Sequence, residues 1–599
     1  MPPSSVLFGC LGGVCAPKAL TGDVWPPSIG VGYAGNRSIA MGTTRSDIQI
    51  ALRIFRLLRG EGRDVAVIFV YALGVGLCSL AIPVGVQALV NSVAFGVVLQ
   101  PLVVITSLVG GVLLLSGILR VLQLYVVEIL QRRLVVRLSL MLAQRIPHVE
   151  FQLFQKRFGP EYVLRFMEVF SAQKIVSALL LDGMGVFFQV VVGLVLVSFY
   201  HPFFLAFAVL LTLTIVLFVG PLGLGGIRTG IRASDAKYEV MTWLQDLARL
   251  PIAFKSNRGD SFAIERADVL VNDYLQWRSK HFRVLLRQIA SAVGLQVGAS
   301  TLLLGLGGWL VVKGQLTLGQ LVAAELIVSV ILSGVAKLGR YLEKFYELCA
   351  SVAKIDALFD LPYEKFSGSF FKPGQDPANL EIVNLTVHHD SATAPLFKEL
   401  SLSVAPGEKI AIWGENGSGK STLADCIYRL AYHKGGRVEI DHHDVREIHP
   451  LELRSEVALV RGADIFHGSI EENLTLSSRE SVPYARIREV LEMVGLVEEI
   501  FSLPGGLRTV LKGPVGVLSR GQAERLMIAR GILMDPRLMI VDGSLDGVDE
   551  NKIAHVLGQL TGTRSPFTLL VLTHDRSVWK HFSRRFEIRD GGLHEVKGE

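Results

Sequence analysis

Charge is missing from long parts of this sequence. Val65 to Leu119, Gly183 to Ile227 and Gln288 to Val312 contain no Asp, Glu, Lys or Arg. With 50% hydrophobic residues, 19% charged residues and a mean hydropathy of +0.44, the chain is too apolar for an ordinary soluble protein. Cysteine is scarce too. Cys10, Cys15, Cys78, Cys349 and Cys426 show neither metal-ligand spacing nor a disulfide framework. The first 40 residues lack sustained periodicity and a continuous apolar core of signal-peptide type. Rich in Gly, Pro and Ser, residues 1–45 read as a disordered segment, and Met41, just before a basic stretch, reads as the biological start.

A membrane-spanning helix needs about 20 apolar residues, so the first two uncharged runs each hold a helical hairpin and the third a single helix. A sixth span follows at Leu318 to Val335. Asn91 to Pro101, Tyr200-His201-Pro202 and Lys313-Gly314-Gln315 supply the turns on one side. On the other side lie Arg132, Arg133, Arg137 and Arg145, then Arg228, Arg232, Lys237 and Arg249, with more besides. The positive-inside rule makes those basic segments cytoplasmic, together with both termini. They carry apolar residues at helical spacing through Leu134 to Ile146 and Val240 to Ala253, so the spanning helices are expected to continue past the bilayer. Asp47 to Gly60 suits an amphipathic helix at the cytoplasmic interface. Glu325 stands within the sixth span, where a carboxylate is a functional candidate, either facing the bundle interior or hydrogen-bonded to a neighbouring helix.

The expected division is a membrane domain over 46–361, a Gly/Pro/Ser-rich linker over 362–379 and a second domain over 380–599. In that last part strand and helix patterns alternate at ordinary charge density, which predicts an α/β domain. Gly414 to Thr422 reads G-E-N-G-S-G-K-S-T between the apolar run Ile410 to Trp413 and a helix-forming stretch. This is a phosphate-binding loop. Gly414, Gly417 and Gly419 let successive N–H groups of Glu415, Asn416, Ser418 and Thr422 curl around an anion, and the following helix presents its N-terminus to the same phosphates. Lys420 would reach the β and γ phosphates and the Ser421 hydroxyl would hold Mg²⁺. The chain is therefore expected to bind a nucleoside triphosphate.

Six spans with long cytoplasmic extensions, followed by this loop, resemble a half-transporter of the ATP-binding cassette (ABC) exporter family. The resemblance covers about Asp47 to Lys597 and includes Gly314-Gln315-Leu316-Thr317-Leu318-Gly319 and the exit phrase Val352 to Pro362. It implies an all-α six-helix membrane domain followed by an α/β P-loop NTPase domain, with ATP and Mg²⁺ as cofactors. The family's adenine-stacking aromatic falls at His389, where an exposed loop histidine is the equal alternative. The signature motif falls at Leu518-Ser519-Arg520-Gly521-Gln522, whose Ser519 and Gly521, with Gln522, would reach the γ-phosphate bound by a partner chain. Asp542 closes the strand Leu538 to Asp542 and would serve the metal. His574 matches the switch histidine.

Arg520 stands where the family signature has a glycine, a change that an outward-pointing side chain tolerates, and two further positions depart from the family pattern in ways that bear on hydrolysis. Gly543 stands where the family has the glutamate that polarises water, and Arg461 where it has a glutamine. Asp546 is the candidate to replace the missing carboxylate, against a role in stabilising its loop. Arg461 would pair with phosphate or with an acidic neighbour, but a guanidinium cannot accept a proton from water. The resemblance thus implies a multi-pass protein of the cell (inner or plasma) membrane that exports an unidentified substrate with ATP. It would act as a homodimer or a heterodimer with another half-transporter, and no nucleic acid is expected as a partner. The alternative is a catalytically degenerate half that binds ATP to gate or regulate its partner.

Overall fold

A computed structural model describes residues 60–596 apart from 95–98, 157–158, 220, 365, 367, 370–373, 375, 389–394, 513–515, 546–549 and 563–564. The amphipathic stretch expected before the first span, and Met41, lie outside the described residues. The chain forms two compact units, one comprising residues up to 147 and 159–361, the other residues 148–158 and 362–599.

The first unit is helical because its apolar runs leave backbone polar groups no partner but each other in hydrocarbon. Among the described residues, six stretches are long and apolar enough to cross a membrane. The first is broken into α1 (Gly62–Cys78) and α2 (Ala81–Ala94), with Pro83 in the opening turn of α2, where its missing N–H costs no helical bond. Next comes α3 (Leu99–Arg145), whose 47 residues make a rod of about 70 Å, more than twice the hydrocarbon thickness. Its apolar Val104, Leu108, Leu114 and Val121 are exposed, as lipid-facing residues should be. After α4 (Phe151–Lys156), the chain continues through α5 (Gly159–Ala178), a π turn at Leu179–Gly183 and α6 (Met184–Ser198). The π turn leaves the Leu180 carbonyl to be met by Gln123 Nε2 at 3.0 Å.

Then follow α7 (Pro202–Val219), α8 (Gly226–Arg249), α9 (Gly259–Val312) and α10 (Leu318–Phe359). The last is one continuous helix that runs on beyond the span expected at Leu318 to Val335. Thr317 starts it with a capping box to Gln320. Ala324, Ile327, Val328, Ile331 and Leu332 of α10 are fully or almost fully buried at the centre of the bundle. Gly193 lets α6 approach α10 closely, since a Cβ there would lie 2.8 Å from Ile331 Cγ1. In the extensions, the buried Glu168 of α5 accepts from Ser351 Oγ (2.5 Å), Tyr238 OH (2.8 Å) and Lys237 Nζ (3.1 Å), tying α5 to α8 and α10.

The second unit is built on two sheets. β1 (Leu380–His388), β2 (Pro395–Val404), β4 (Gly435–Ile440) and β5 (His443–Asp444) form an antiparallel sheet in the order β2-β1-β4-β5. The other sheet runs β12-β11-β3-β10-β9-β6. It uses β3 (Lys409–Trp413), β6 (Val457–Arg461), β9 (Leu538–Asp542), β10 (Thr568–Thr573), β11 (Arg584–Arg589) and β12 (Gly592–Glu595). β7 (Gly468–Ser469) and β8 (Val510–Leu511) make a small ladder apart. Every residue of β9 and β10 is buried, the mark of strands covered on both faces. Residues 148–150 join this unit through a Val149–Tyr363 bridge and a 3.0 Å bond from Glu150 N to Pro362 O.

Two helices carry the candidate nucleotide-binding residues outside the strand ends: α11 (Lys420–Ile427), which follows the phosphate loop, and α12 (Arg520–Leu533), which follows Ser519. Arg525 of α12 is 2% exposed and donates to the carbonyls of Gly495 (2.5 Å) and Val494 (3.2 Å) and to Glu499 Oε2 (2.8 Å). Replacing it by Met, Arg525→Met, leaves those buried carbonyls unpaired and is expected to cost about 3 kcal/mol. The corresponding loss is about 8 °C in the unfolding temperature of the nucleotide domain, read by scanning calorimetry on the full chain.

Candidate nucleotide site

The parallel register decides what meets what. Thr573 pairs with Trp413, Leu572 with Asp542, and Arg461 with Asp542, so four strand ends finish in one row. Ligands of open α/β sheets bind at this carboxyl edge.

At the end of β3 the chain turns through Gly414 into α11. Gly417 (φ 85°) and Gly419 (φ 101°) adopt left-handed backbone, and a Cβ on Gly419 would lie 2.6 Å from the Phe397 ring. Glu415, Asn416 and Gly417 are exposed at the rim, while Thr422 is half-buried in the first turn of α11. Lys420 Nζ curls back onto its own loop, donating to the carbonyls of Gly414 (2.6 Å) and Glu415 (2.9 Å). Ser418 Oγ is buried without a hydrogen-bond partner. A loop with glycine at both left-handed positions, the Lys420 ammonium folded onto it and an unsatisfied hydroxyl fits the phosphates of a nucleotide.

The neighbouring strand ends carry an ionic cluster. Arg461 Nε donates to Asp542 Oδ2 at 2.6 Å, Nη1 to Asp425 Oδ1 at 2.8 Å, and Nη2 to the Ser421 carbonyl at 3.0 Å. Side-chain exposure is 5% for Asp542, 11% for Asp425 and 27% for Arg461. Burial works against the charge of Arg461, but Asp425 and Asp542 outweigh it and hold its pKa above the ordinary guanidinium value. Burial raises the Asp425 carboxyl; Arg461 opposes this and the Asp542 charge adds to it.

Gly543 follows with φ 68°, its N–H on the Leu572 carbonyl at 3.0 Å. Ser544 Oγ joins this loop to the end of β6, accepting from Gly462 N at 3.0 Å. His574 follows β10 and its carbonyl is held by Trp413 Nε1 at 2.8 Å. Next to it, the Ser577 hydroxyl and N–H clasp Asp575 and keep its carboxyl below the usual range.

Ser519 caps α12, accepting from Gln522 N at 3.3 Å while Gln522 Oε1 accepts from Ser519 N at 2.7 Å. Gln522 is thus engaged in the cap. The cap leaves the Ser519 hydroxyl proton available to donate, beside the Gly521 N–H in the first helical turn. Arg520 lies along the helix and pairs with the buried Glu524 at 2.9 Å.

Residues 397–545 match the family model described as ABC transporter. The chain is 29% identical over 322 residues to the alpha-hemolysin translocation ATP-binding protein HlyB of Escherichia coli O157:H7, covering 52% of this chain and 45% of that protein. It is 29% identical over 310 residues to the leukotoxin export ATP-binding protein LtxB of Aggregatibacter actinomycetemcomitans, covering 50% and 43%. The chain thus spans about half the length of the curated relatives it matches. A solved structure described as a bacterial Atm1-family ABC exporter with ATP bound has the same fold, with TM-score 0.79 at 19% identity over 90% of this chain and 95% of that one. The chain carries an ABC transporter nucleotide domain and has the fold of an ABC exporter, with membrane unit and nucleotide unit in one chain.

With six helices among the described residues long and apolar enough to cross a membrane, the chain is a multi-pass membrane protein with its nucleotide domain on the cytoplasmic side. Its structure brings Gly414, Gly417, Gly419, Lys420, Ser421, Arg461, Asp542 and His574 to one sheet edge. His389 and Asp546, proposed from sequence for adenine stacking and catalysis, lie outside the described residues. The metal implied by the resemblance finds no open site between Ser421 and Asp542, because Arg461 already bonds that carboxylate and lies against the Ser421 backbone. Sequence reasoning missed Asp425. Its signal was a lone carboxylate in the apolar run Leu423-Ala424-Asp425-Cys426-Ile427, one helical turn after Ser421.

The left-handed backbone at Gly543 also gives a test. Gly543→Ala should destabilise the nucleotide domain by about 1 kcal/mol, whereas Gly→Ala at a right-handed position usually stabilises. A rise in unfolding temperature for this variant would show the loop to be free of that strain. Gly543→Glu carries the same penalty.

Proposed function

We propose that the half-transporter binds ATP as one half of a dimeric ATP-driven exporter, and that nucleotide binding, more than rapid turnover, is its working step. The observation that carries this reading is the contrast between a complete phosphate cradle and a strand end where Gly543 and the Arg461–Asp542 pair replace the usual water-activating group.

Binding would proceed as follows. Phosphates enter the turn between β3 and α11, Lys420 exchanges its loop carbonyls for phosphate oxygens, and Ser418 Oγ gains an acceptor. His574, on the adjacent strand end, would hold the terminal phosphate. Ser519 and the Gly521 N–H would cap the nucleotide bound by a second chain, so two nucleotide domains would close on ATP between them. Closure passed to the long helical extensions would switch the membrane domain from inward- to outward-facing. Among the described residues near the phosphates, no carboxylate takes the place of Gly543. Loss of a general base costs about 10²- to 10⁴-fold in rate. The same observation favours a second reading, a degenerate half paired with an intact one in a heterodimer.

The relatives' names speak of alpha-hemolysin and leukotoxin; for this chain we propose only a cargo compatible with largely apolar spans. Glu325 adds one polar group on α10, with Oε2 buried and without a hydrogen-bond partner.

Steady-state hydrolysis by the full chain in lipid nanodiscs tests the reading. ATP should bind, Lys420→Ala should remove the binding, and turnover should fall about 10²- to 10⁴-fold below a relative with the glutamate in place. Turnover matching that relative and abolished by Lys420→Ala would instead make the homodimer a fast pump.

A further inference from the structure

We propose that Arg461 is a resident cation of the nucleotide site, and that this chain binds ATP without needing a divalent metal. The proposal rests on the nucleotide-binding reading above and goes beyond it by naming the form of the ligand, a metal-free nucleoside triphosphate.

The metal of such a site belongs between the hydroxyl-bearing residue after the loop lysine and the carboxylate that ends the neighbouring strand, here Ser421 and Asp542. Arg461 occupies that interval. One nitrogen bonds Asp542 at 2.6 Å, another reaches the Ser421 carbonyl at 3.0 Å, and the third bonds Asp425 at 2.8 Å. The arrangement is fixed by the fold: Arg461 and Asp542 are register partners on adjacent parallel strands, and Asp425 lies on α11 one turn beyond Ser421. Both carboxylates are largely buried, and the guanidinium between them offsets one of their two negative charges.

Charge and chemistry follow. A divalent ion at Asp542 would share its ligand with a cation that cannot lose its proton at any physiological pH. Displacing Arg461 to make room would leave its bonds to Asp425 and Ser421 unmade. The guanidinium, in turn, can do part of what a metal does. Three of its nitrogens are engaged, and a guanidinium has five N–H donors, so N–H groups remain to meet phosphate oxygens in a planar fork. Lys420 and the N-terminus of α11 supply the positive charge for the triphosphate, and Arg461 offsets the Asp542 charge that would otherwise repel it. What the guanidinium cannot supply is a coordinated, oriented water, which agrees with the missing carboxylate at Gly543.

The experiment measures ATP affinity of the full chain in nanodiscs by displacement of a fluorescent trinitrophenyl-ATP, in EDTA and in millimolar Mg²⁺. The native chain should change affinity by less than about threefold between the two buffers, while Arg461→Gln should gain at least about tenfold from Mg²⁺. Electron paramagnetic resonance of Mn²⁺ added with ATP gives a second readout: protein-immobilised Mn²⁺ is expected with Arg461→Gln and not with the native chain. Because Arg461→Gln leaves two buried carboxylates together, an Asp425→Asn/Arg461→Gln double variant provides the same comparison with one charge removed. An affinity of the native chain that collapses in EDTA, or native Mn²⁺ immobilisation equal to that of the variants, overturns the proposal. Failure of the native chain to bind ATP in either buffer overturns the nucleotide-binding reading itself, and this proposal with it.

Discussion

The nucleotide site depends on one constraint, the parallel hydrogen-bond register of β3, β10, β9 and β6. Parallel strands point the same way, so their carboxyl ends form a single edge, and a pairing of Arg461 with Asp542 in the ladder places their side chains within bonding distance. The strands can hold that register because β9 and β10 are buried along their whole length, which removes water as a competitor for their backbone groups. Every functional group described at this edge, from the Gly414 turn to His574, takes its position from those four strand ends. The ionic cluster then exploits the same burial. Low exposure strengthens the Arg461 contacts with Asp425 and Asp542 and makes each member costly to remove.

The membrane unit solves a different problem with different means. Its helices satisfy their own backbones, and lipid-like surroundings give no hydrophobic reason for them to associate. Close approach does the work, as where Gly193 admits Ile331, and the buried residues of α10 give the bundle its centre. Beyond the bilayer, polar bonds take over. Glu168, buried and bonded to Ser351, Tyr238 and Lys237, locks three extensions together in a way that apolar packing alone would leave free to slide.

The two departures from the family pattern have a common physical sense. Gly543 removes a carboxylate and adopts a left-handed conformation that a side chain would resist. Arg461 adds a permanent positive charge beside the remaining carboxylate. Both changes alter the charge at the strand end: one position has no carboxylate, and the carboxylate that remains is paired with a guanidinium.

Much of this was legible in the sequence because the signals are local. Uncharged runs of sufficient length specify spanning helices, since no other structure satisfies a backbone in hydrocarbon, and the alternation after Leu380 specifies an α/β domain. The G-x-x-x-x-G-K-S spacing is likewise a property of consecutive residues, as is the glycine after Asp542. What no local pattern contains is the partner of each charge. Asp425 and Arg461 are 36 residues apart, and Arg461 and Asp542 are 81 apart. Only the pairing of β6 with β9, and the face that α11 turns toward them, brings the three together. The sequence by itself determined the helices, the phosphate loop and the missing base. Tertiary structure decided that Arg461 meets Asp425 and Asp542, because strand register and burial choose which opposite charges meet.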